Sequence, residues 1–261
     1  MHTTTSSHQL PTISIITVVY NGYAFLEATL QSIISQTYTH KEYIVIDGGS
    51  DDGTLAIIRK YANHINYWVS EPDKGIYDAM NKGLQAATGD YVLFINAGDQ
   101  LNTHITLSSI FYSVSKEADV IYGETHLIDK NGKVLGTRST LSSRKLPKKL
   151  KYQDMRYGMA VSHQSFIVKR KMAPSYDANY QCSADIDWVI KALKKSRKTV
   201  NARMVIAKYL IGGFSIRQQR LCWKERFQVY KTHFGLPKTL LAHGWIVLRY
   251  VIYKISGKPN H

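Results

Sequence analysis

The 261-residue sequence contains only two cysteines and no long uninterrupted apolar run. Cys182 and Cys222 lie far apart, and neither has a C-x-x-C partner, so the sequence predicts neither a disulfide framework nor a zinc site. A reducing, cytoplasmic setting therefore fits best. Since no stretch reaches the ~18 apolar residues typical of a membrane-spanning helix, the sequence does not predict an integral membrane protein.

The amino-terminal stretch is polar and lacks the apolar segment of a secretory signal. We therefore predict a disordered tail over residues 1–11. Hydrophobic residues make up 44% of the chain, which excludes a wholly disordered protein. The length is sufficient for one large core with a small appendage.

Negative charge is scarce in the second half of the chain, although the net charge of the whole is +15. From Met1 to Asp99 there are ten carboxylates against five Lys and Arg, whereas after Asp187 Glu225 is the only carboxylate side chain against sixteen Lys and Arg. This asymmetry predicts a basic carboxyl-terminal region that contacts an anionic surface, either a membrane or a nucleic acid.

Strand and helix patterns alternate through the first hundred residues. Apolar strands are predicted at 13–20, 42–47, 67–69 and 91–95, and amphipathic helices between them at 25–34, 55–61 and 75–87. This order predicts an α/β protein with a mostly parallel, doubly wound sheet.

The rest of the chain has a mixed pattern. We predict strands at 119–123, 166–168 and 203–209, a hairpin over 126–137 that turns at Asn131-Gly132, and a mobile loop over 139–151. A helix begins at Ala184, and two basic helices follow Arg217 with a break near Gly235.

Polar residues follow four of the predicted strands, at Tyr20-Asn21, Asp47, 71–74 and 96–99. In open α/β sheets ligands bind at the carboxyl ends of the strands. A nucleotide diphosphate would use such an edge, because its base needs polar partners and its phosphates need a divalent cation with oxygen ligands. The simpler alternative for Asp99 is a residue that turns the chain after Gly98.

The segments that carry these residues resemble the family 2 glycosyltransferases, which are inverting enzymes with the GT-A fold. IVIDGGSDDGT is similar to the family's V-D-D-G-S-x-D-G-T loop, with Gly48 in place of the second Asp. EPDKGIYDAMNKG resembles the version found in bacterial exopolysaccharide, colanic acid and O-antigen enzymes. The resemblance covers about residues 12–209.

The resemblance implies roles for the residues at the sheet edge. Tyr20 and Asp47 are expected to meet the base, usually uracil, and Lys74 and Asp78 to lie near the ribose or the diphosphate. The sequence NAGD stands in the D-x-D region, where Asn96 and Gly98 replace two usual carboxylates. Asp99 is then the expected metal ligand, for a Mn²⁺ or Mg²⁺ ion that is weakly held.

The resemblance also implies the residues of the reaction. Asp185 matches the position of the general base, with Asp187 as the second candidate, and His163-Gln164 is expected to face the acceptor or the donor sugar. Each has a structural alternative: Asp185 as a helix N-cap, and His163 as a packed core residue. Gly212-Gly213-Phe-Ser215 resembles a loop near the family's active site, or is an ordinary turn.

We therefore predict three parts: a tail over 1–11, a GT-A domain over 12–215, and a basic helical extension over 216–261. In the extension Trp245, Leu248, Ile252 and Ile255 share one helix side, which favours an interfacial helix on an anionic membrane over a core-packed helix. The expected acceptor is a saccharide, free or carried on a polyprenyl diphosphate, at the cytoplasmic face of the cell membrane.

The predicted function is inverting sugar transfer from a nucleotide diphosphate sugar, most simply a UDP-sugar, in bacterial surface polysaccharide synthesis. The alternative is a basic nucleic-acid- or membrane-binding protein without transferase activity, but the sequence has no recognised nucleic-acid motif, and no nucleic acid partner is expected. A dinucleotide-dependent oxidoreductase would need G-x-G-x-x-G after the first strand, where this chain has Tyr20-Asn-Gly-Tyr. A nucleotidyltransferase would need a glycine-rich basic signature near that strand.

Overall fold

The computed structural model describes residues 10–114, 117–212 and 218–255. Its strands are β1 (Ile13–Val19), β2 (Lys41–Asp47), β3 (Tyr67–Ser70), β4 (Tyr91–Phe94), β5 (Gln100–Leu101), β6 (Val120–Ile128), β7 (Val134–Thr137), β8 (Phe166–Lys169) and β9 (Thr199–Leu210). Most of the predicted tail, residues 1–9, lies outside the described residues, as do Gly213 to Ser215 of the glycine-containing loop.

The α-helices lie between and after these strands. They are α1 (Tyr23–Ile34), α2 (Thr54–Lys60), α3 (Ile76–Ala86), α4 (Thr106–Ser113), α5 (Arg138–Leu141), α6 (Ala184–Lys195), α7 (Gln219–Phe234) and α8 (Leu236–Ile255). Short 3₁₀ turns are found at Ala62–His64, Tyr152–Tyr157, His163–Ser165 and Arg170–Met172.

The sheet has the strand order β3-β2-β1-β4-β8-β6-β9-β5, with β7 paired to β6. The first four strands are parallel, as the alternating β/α pattern predicts. β8 is antiparallel to both β4 and β6, whereas β9 runs parallel to β6. The predicted α/β fold is therefore confirmed, and its carboxyl-terminal half has a mixed sheet.

Helices cover both faces of the sheet. On one face, α3, α6 and α7 pack over a core that contains Met80, Trp188 and Tyr230. On the other face, α1, α2 and α4 pack through side chains such as Leu30 and Ile110. Both faces of β1 are therefore buried, which explains its continuous apolar sequence.

The hairpin over 126–137 is confirmed, and Gly132 provides the positive φ of 78° in its turn. The prediction of a mobile loop over 139–151 is wrong. The segment that contains it begins with α5, Leu150 is buried, and the guanidinium of Arg144 donates hydrogen bonds to the backbone carbonyls of Asp154 and Gly158. Such bonds hold an aperiodic segment in place, but they leave no periodic signal in the sequence.

The two carboxyl-terminal helices are also confirmed, with Gly235 at φ 81° between them. No helix in the described part of the chain combines the length and the apolar content needed to cross a bilayer.

Two helical glycines allow a matched test of how α3 packs on the sheet. A Cβ at Gly83 would lie 2.4 Å from Ile16 Cγ2 of β1, whereas a Cβ at the exposed Gly244 in α8 would meet nothing within 4 Å. We expect Gly83→Ala to lower the free energy of unfolding by about 1–3 kcal/mol through overpacking. Gly244→Ala should raise it by up to ~1 kcal/mol, because alanine favours the helix. Urea titrations of both variants provide the measurement, and equal effects would contradict this close packing.

Candidate active site

A cleft of about 670 Å³ opens at the carboxyl ends of β1 and β4, beside the start of α3. Four of the predicted site residues line it: Tyr20, Lys74, Asp78 and Asn96. The other lining residues come from the end of β1, the β1–α1 turn, α1, the start of α3, the connection after β4 and the segment before α6. They include Asn21, Phe25, Asp73, Tyr77, Asn179, Tyr180 and Gln181. The sheet edge predicted from the sequence is therefore the wall of a cavity.

The side chains in this cleft leave polar atoms open to a ligand. The Tyr20 ring is 66% exposed, and Lys74 is exposed as well. The Lys74 backbone N–H donates to Asp78 Oδ2 at 3.1 Å, which holds the turn at the start of α3. Asn96 Oδ1 is buried and has no hydrogen-bond partner among the described residues. The cleft can thus offer a ligand an aromatic surface and a cation, whereas the Asn96 carbonyl oxygen is buried behind its wall.

Asp47 does not line the cleft. Its carboxylate is fully buried and accepts hydrogen bonds from the Ser50 backbone N–H at 3.0 Å, the Ser70 hydroxyl at 2.6 Å and the Ser50 hydroxyl. These bonds tie the loop after β2 to the end of β3. In this structure Asp47 shapes the loop at the sheet edge, and its expected contact with a base stays a prediction.

Asp99, the expected metal ligand, is 4% exposed. Its Oδ1 accepts a hydrogen bond from the Leu210 backbone N–H at 3.0 Å, and its Oδ2 accepts one from Gln164 Nε2 at 2.9 Å. Burial raises the pKa of the Asp99 carboxyl to about 7 despite these bonds. The fold therefore brings Gln164, which precedes β8, to Asp99, which directly precedes β5 beside the end of β9.

The donor set does not fit a preformed cation site in this structure. Both Asp99 oxygens are used by protein donors, and the described residues contain no group of three His, Cys, Asp or Glu side chains that could hold a metal.

Asp185 lies in the first turn of α6 and is half-buried. The N-cap of α6 is Ser183, so Asp185 is not the capping residue. Its Oδ1 accepts a hydrogen bond from the Ile186 backbone N–H at 2.8 Å. Burial raises the pKa of the Asp185 carboxyl to about 6, although that bond and the charge of Arg226 act in the opposite direction.

Tyr77 connects Asp185 to the cleft. The Tyr77 phenol lies close enough to the Asp185 carboxyl to help lower the pKa of that group, and burial, together with the charge of Asp185, raises the pKa of Tyr77. Tyr77 also lines the cleft, so the carboxylate and the cavity share one neighbour. This arrangement can place a proton acceptor at one end of a bound ligand.

Asp187 is held differently from Asp185. Its carboxylate is 3% exposed, with Oδ1 2.7 Å from His233 Nε2 of α7 and Oδ2 2.6 Å from Lys191 Nζ. Burial alone would raise the pKa of Asp187, but these two partners lower it. Asp187 thus links α6 to α7, away from the cleft.

His163 is a member of a ring cluster in the core. It is 4% exposed, its Nε2 lies 2.7 Å from the Tyr176 hydroxyl, and its ring packs against Phe94 and Trp188. Burial lowers the pKa of His163 to about 4, so the ring is neutral near pH 7. These surroundings are those of a packed core residue, which was the alternative for His163. A direct contact of His163 with a sugar stays a prediction.

Sequence reasoning missed several cleft residues. Asp73 and Tyr77 stand inside the EPDKGIYDAMNKG segment, so they could have been named from the same motif. No sequence motif marks Tyr180 and Gln181 as cleft residues. Their position depends on how the segment before α6 folds back toward the cleft.

That segment is held by α7. Glu225 accepts hydrogen bonds from the backbone N–H groups of Gln181 at 2.8 Å and Cys182 at 2.9 Å. Cys182 also forms a disulfide with Cys222, with the two Cα atoms 5.4 Å apart. The expectation of no disulfide framework is therefore wrong for this pair, because the fold brings together residues that are remote in sequence. The reducing setting inferred from them loses that support.

The family 2 sequence profile, described as "Glycosyl transferase family 2", matches residues 14–175, more than half of the chain. The chain belongs to this family. The match includes β1 to β4, the cleft residues of α3 and the His163-Gln164 pair, but it ends before α6.

Two curated relatives illustrate the similarity. An uncharacterised glycosyltransferase of Mycobacterium tuberculosis is 42% identical over 93 residues, which are 35% of this chain and 36% of that protein. The aligned region thus spans about a third of that relative. A PGL/p-HBAD biosynthesis glycosyltransferase of Mycobacterium bovis is 29% identical over 215 residues, covering 78% of this chain and 79% of that protein.

Solved structures share the fold at low identity. The structure of S. aureus TarS 1-349 with UDP-GlcNAc has a TM-score of 0.64 and 17% identity, covering 91% of this chain and 81% of that one. The mannosyltransferase PcManGT of Pyrobaculum calidifontis, with GDP-Man and Mn²⁺, has a TM-score of 0.63 and 16% identity, covering 92% and 70%.

The disulfide gives a test of the contact between the α6 segment and α7. A cross-link between residues this far apart restricts the unfolded chain, so we expect reduction to lower the free energy of unfolding by about 2–4 kcal/mol. Urea titrations with and without dithiothreitol measure the difference. The double variant Cys182→Ser, Cys222→Ser should show no effect of dithiothreitol. Two alkylatable thiols in the unreduced, urea-unfolded wild type would contradict the disulfide.

Proposed function

We propose that this protein transfers a sugar from a nucleotide diphosphate sugar, most simply a UDP-sugar, to an acceptor hydroxyl with inversion at the anomeric carbon. The observation that carries the proposal is the position of Tyr77, which lines the cleft and lies beside Asp185. Tyr77 thus connects a cavity that can hold the sugar donor with a carboxylate that can accept a proton.

The cleft suits a nucleotide sugar in its shape and in its groups. The exposed Tyr20 ring offers a surface on which a planar base can stack, and Lys74 offers a charge for the phosphates. TarS and PcManGT, which share the fold, were solved with UDP-GlcNAc and GDP-Man respectively. Both ligands are nucleotide diphosphate sugars, which supports a donor of this class here.

In the proposed reaction Asp185 is the general base. Its carboxylate takes the proton of the acceptor hydroxyl as the oxygen forms a bond to the anomeric carbon. The bond from that carbon to the diphosphate oxygen breaks on the opposite face, and the diphosphate leaves with the electron pair. A pKa of about 6 keeps Asp185 deprotonated at neutral pH and still basic enough to accept a proton.

The dependence on a cation remains a prediction, and we derive no step through a metal. The PcManGT structure contains Mn²⁺, which supports a test for this chain. Activity in Mn²⁺, in Mg²⁺ and in EDTA answers the question directly.

We further propose that the protein works at a membrane surface, on a lipid-linked saccharide. One face of α8 carries seven large apolar side chains that are 45–77% exposed: Leu240, Leu241, Trp245, Val247, Leu248, Val251 and Ile252. The opposite face, with Thr239 and Ala242, is buried. The side chain of Ile255, predicted on the same stripe, lies outside the described residues.

Positive charge adjoins this apolar face. Arg156 and Lys238 line a smaller pocket of about 350 Å³ together with Leu241 and Trp245. Apolar and aromatic side chains beside cations are typical of helices that lie on anionic membranes. This charge pattern supports an anionic lipid surface as the partner of α8.

The first test measures release of UDP from a panel of UDP-sugars with lipid-linked and free saccharide acceptors. We expect Asp185→Asn to reduce kcat/KM by at least about a hundredfold, because the amide cannot accept the proton, while donor affinity stays within about twofold. In the wild type, kcat/KM should rise with pH through about 6 as Asp185 loses its proton. Full turnover by Asp185→Asn would contradict its role as the base.

Asp187→Asn separates the two acidic candidates. Since Asp187 pairs with His233 and Lys191, we expect this variant to lower the melting temperature and to retain most of the turnover. Loss of turnover in a protein of unchanged stability would transfer the catalytic role to Asp187.

Vesicle pelleting tests the membrane proposal. We expect binding to phosphatidylcholine vesicles that contain phosphatidylglycerol, and at least about tenfold weaker binding for Leu241→Ser combined with Trp245→Ser. Tyr112→Ser is the matched control, since Tyr112 is 70% exposed on α4 and is outside the α8 face. Equal vesicle binding by all three proteins would refute the proposal.

A further inference from the structure

Three arginine side chains from separate parts of the chain converge on one stretch of backbone. Their guanidinium groups donate hydrogen bonds to backbone carbonyls within residues 154–160, and we call them the arginine cluster: Arg138, Arg144 and Arg249. A Cβ built on Gly158 would lie 3.7 Å from Arg144 Nη1 and 3.9 Å from Arg249 Nη2. The fold therefore gathers three positive charges in one place.

These charges have no carboxylate partner of their own. Between the described residues, every salt bridge uses a lysine or a histidine, and none uses an arginine. The acidic groups whose charges reach the cluster, Glu124 and Asp154, accept hydrogen bonds from other groups. Burial lowers the pKa of Arg144 to about 10, and the charges of Arg249 and Arg138 act in the same direction. Buried like charges are costly without a counter-charge, so the cluster favours a bound anion.

Two buried polar atoms beside the cluster are unused. The Tyr230 hydroxyl and Arg249 Nε have no hydrogen-bond partner in the part of the chain that the structure describes, although Tyr230 is fully buried. Burial raises the pKa of Tyr230 to about 12, whereas the charges of Arg226 and of two arginines of the cluster act in the opposite direction. Buried polar groups are normally paired, and both of these atoms can donate a hydrogen bond to a phosphate oxygen.

The cluster adjoins two features of the proposed function. On one side, Arg249 follows Trp245 by one turn of α8, and its partner Tyr157 lines the smaller pocket together with Trp245. On the other side, the charge of Arg226 in α7 affects the pKa of both Tyr230 and Asp185. An anion at the cluster would therefore meet the exposed apolar face of α8 and the surroundings of the proposed base.

We propose that the arginine cluster and the Tyr230 hydroxyl bind the diphosphate of a lipid-linked saccharide, whose lipid lies along the apolar face of α8 and whose sugar reaches Asp185. This inference rests on the proposed function and assigns a site for its acceptor. The planar guanidinium group matches the spacing of phosphate oxygens, and several such groups together can offset the charge of a diphosphate. A free diphosphate and a membrane headgroup share this phosphate chemistry, so the experiment compares all three.

Calorimetric titration of the full chain tests the site with three probes: farnesyl diphosphate, inorganic pyrophosphate and farnesol. Saturating UDP in the cell keeps the diphosphate probes out of the donor cleft. For the wild type we expect farnesyl diphosphate to bind at least about tenfold more tightly than either pyrophosphate or farnesol, because it alone presents both the anion and the apolar chain.

Two variants separate binding from folding. Tyr230→Phe removes a hydroxyl that has no partner, so we expect about three- to tenfold weaker binding of farnesyl diphosphate with no fall in melting temperature. Arg249→Gln keeps an NH₂ donor for the Tyr157 carbonyl but loses the charge, and it should bind about ten- to a hundredfold more weakly, with part of the loss recovered in Arg249→Lys. Arg59→Gln, at an exposed arginine of α2, is the matched control and should bind like the wild type.

The outcomes separate this inference from the proposed function. Equal affinity of the wild type, Tyr230→Phe and Arg249→Gln for farnesyl diphosphate overturns the inference, while UDP binding and release still test the transferase proposal. Pyrophosphate that binds as tightly as farnesyl diphosphate shows a site for a free diphosphate, and the inference fails. It also fails if Arg249→Gln loses as much affinity for phosphatidylglycerol vesicles, since the cluster then binds headgroups. Wild-type protein that binds none of UDP, GDP and dTDP overturns the transferase proposal and, with it, the assignment of the lipid as an acceptor.

Discussion

The stack of aromatic rings around Trp188 is the interaction on which the geometry of the candidate site depends. Trp188 is fully buried and lies parallel to Tyr176 at 5.2 Å, with Phe94 and Phe166 packed against it edge to face. Its indole N–H donates to the Pro174 carbonyl at 2.7 Å. Each such ring pair contributes about 0.5–1.5 kcal/mol beyond its buried area. The cluster attaches α6 to β4 and β8, and it thereby sets where Asp185 stands relative to the cleft.

The charge distribution also has a structural meaning. Glu225 is the only carboxylate side chain after Asp187, and it binds the two backbone N–H groups just before α6. The carboxylates of α6 have different surroundings: ion pairs hold Asp187, whereas burial beside Tyr77 raises the pKa of Asp185. Two acids separated by one residue therefore differ in chemistry because successive positions on a helix face different neighbours.

The fold was largely predictable, because its elements depend on local patterns. Alternating apolar strands and amphipathic helices predicted the parallel β3-β2-β1-β4 half, and Asn131-Gly132 predicted the hairpin. The order of β8, β6, β9 and β5 was not predictable, since long connections between strands leave their pairing to tertiary packing. The predictions of no disulfide and of a mobile loop over 139–151 were wrong for the same reason. Cys182 meets Cys222, and Arg144 meets the carbonyls of Asp154 and Gly158, only in the folded chain.

Family membership, the polar edge of the sheet, and the basic and apolar character of the last helices could all be inferred from local sequence patterns. Which of those polar residues face the cleft depends on long-range packing. Tyr20, Lys74, Asp78 and Asn96 line the cleft, whereas Asp47, Asp99 and Gln164 are consumed by hydrogen bonds inside the protein. Sequence position assigns a residue to a strand end, but the partners of its side chain come from segments that are distant along the chain.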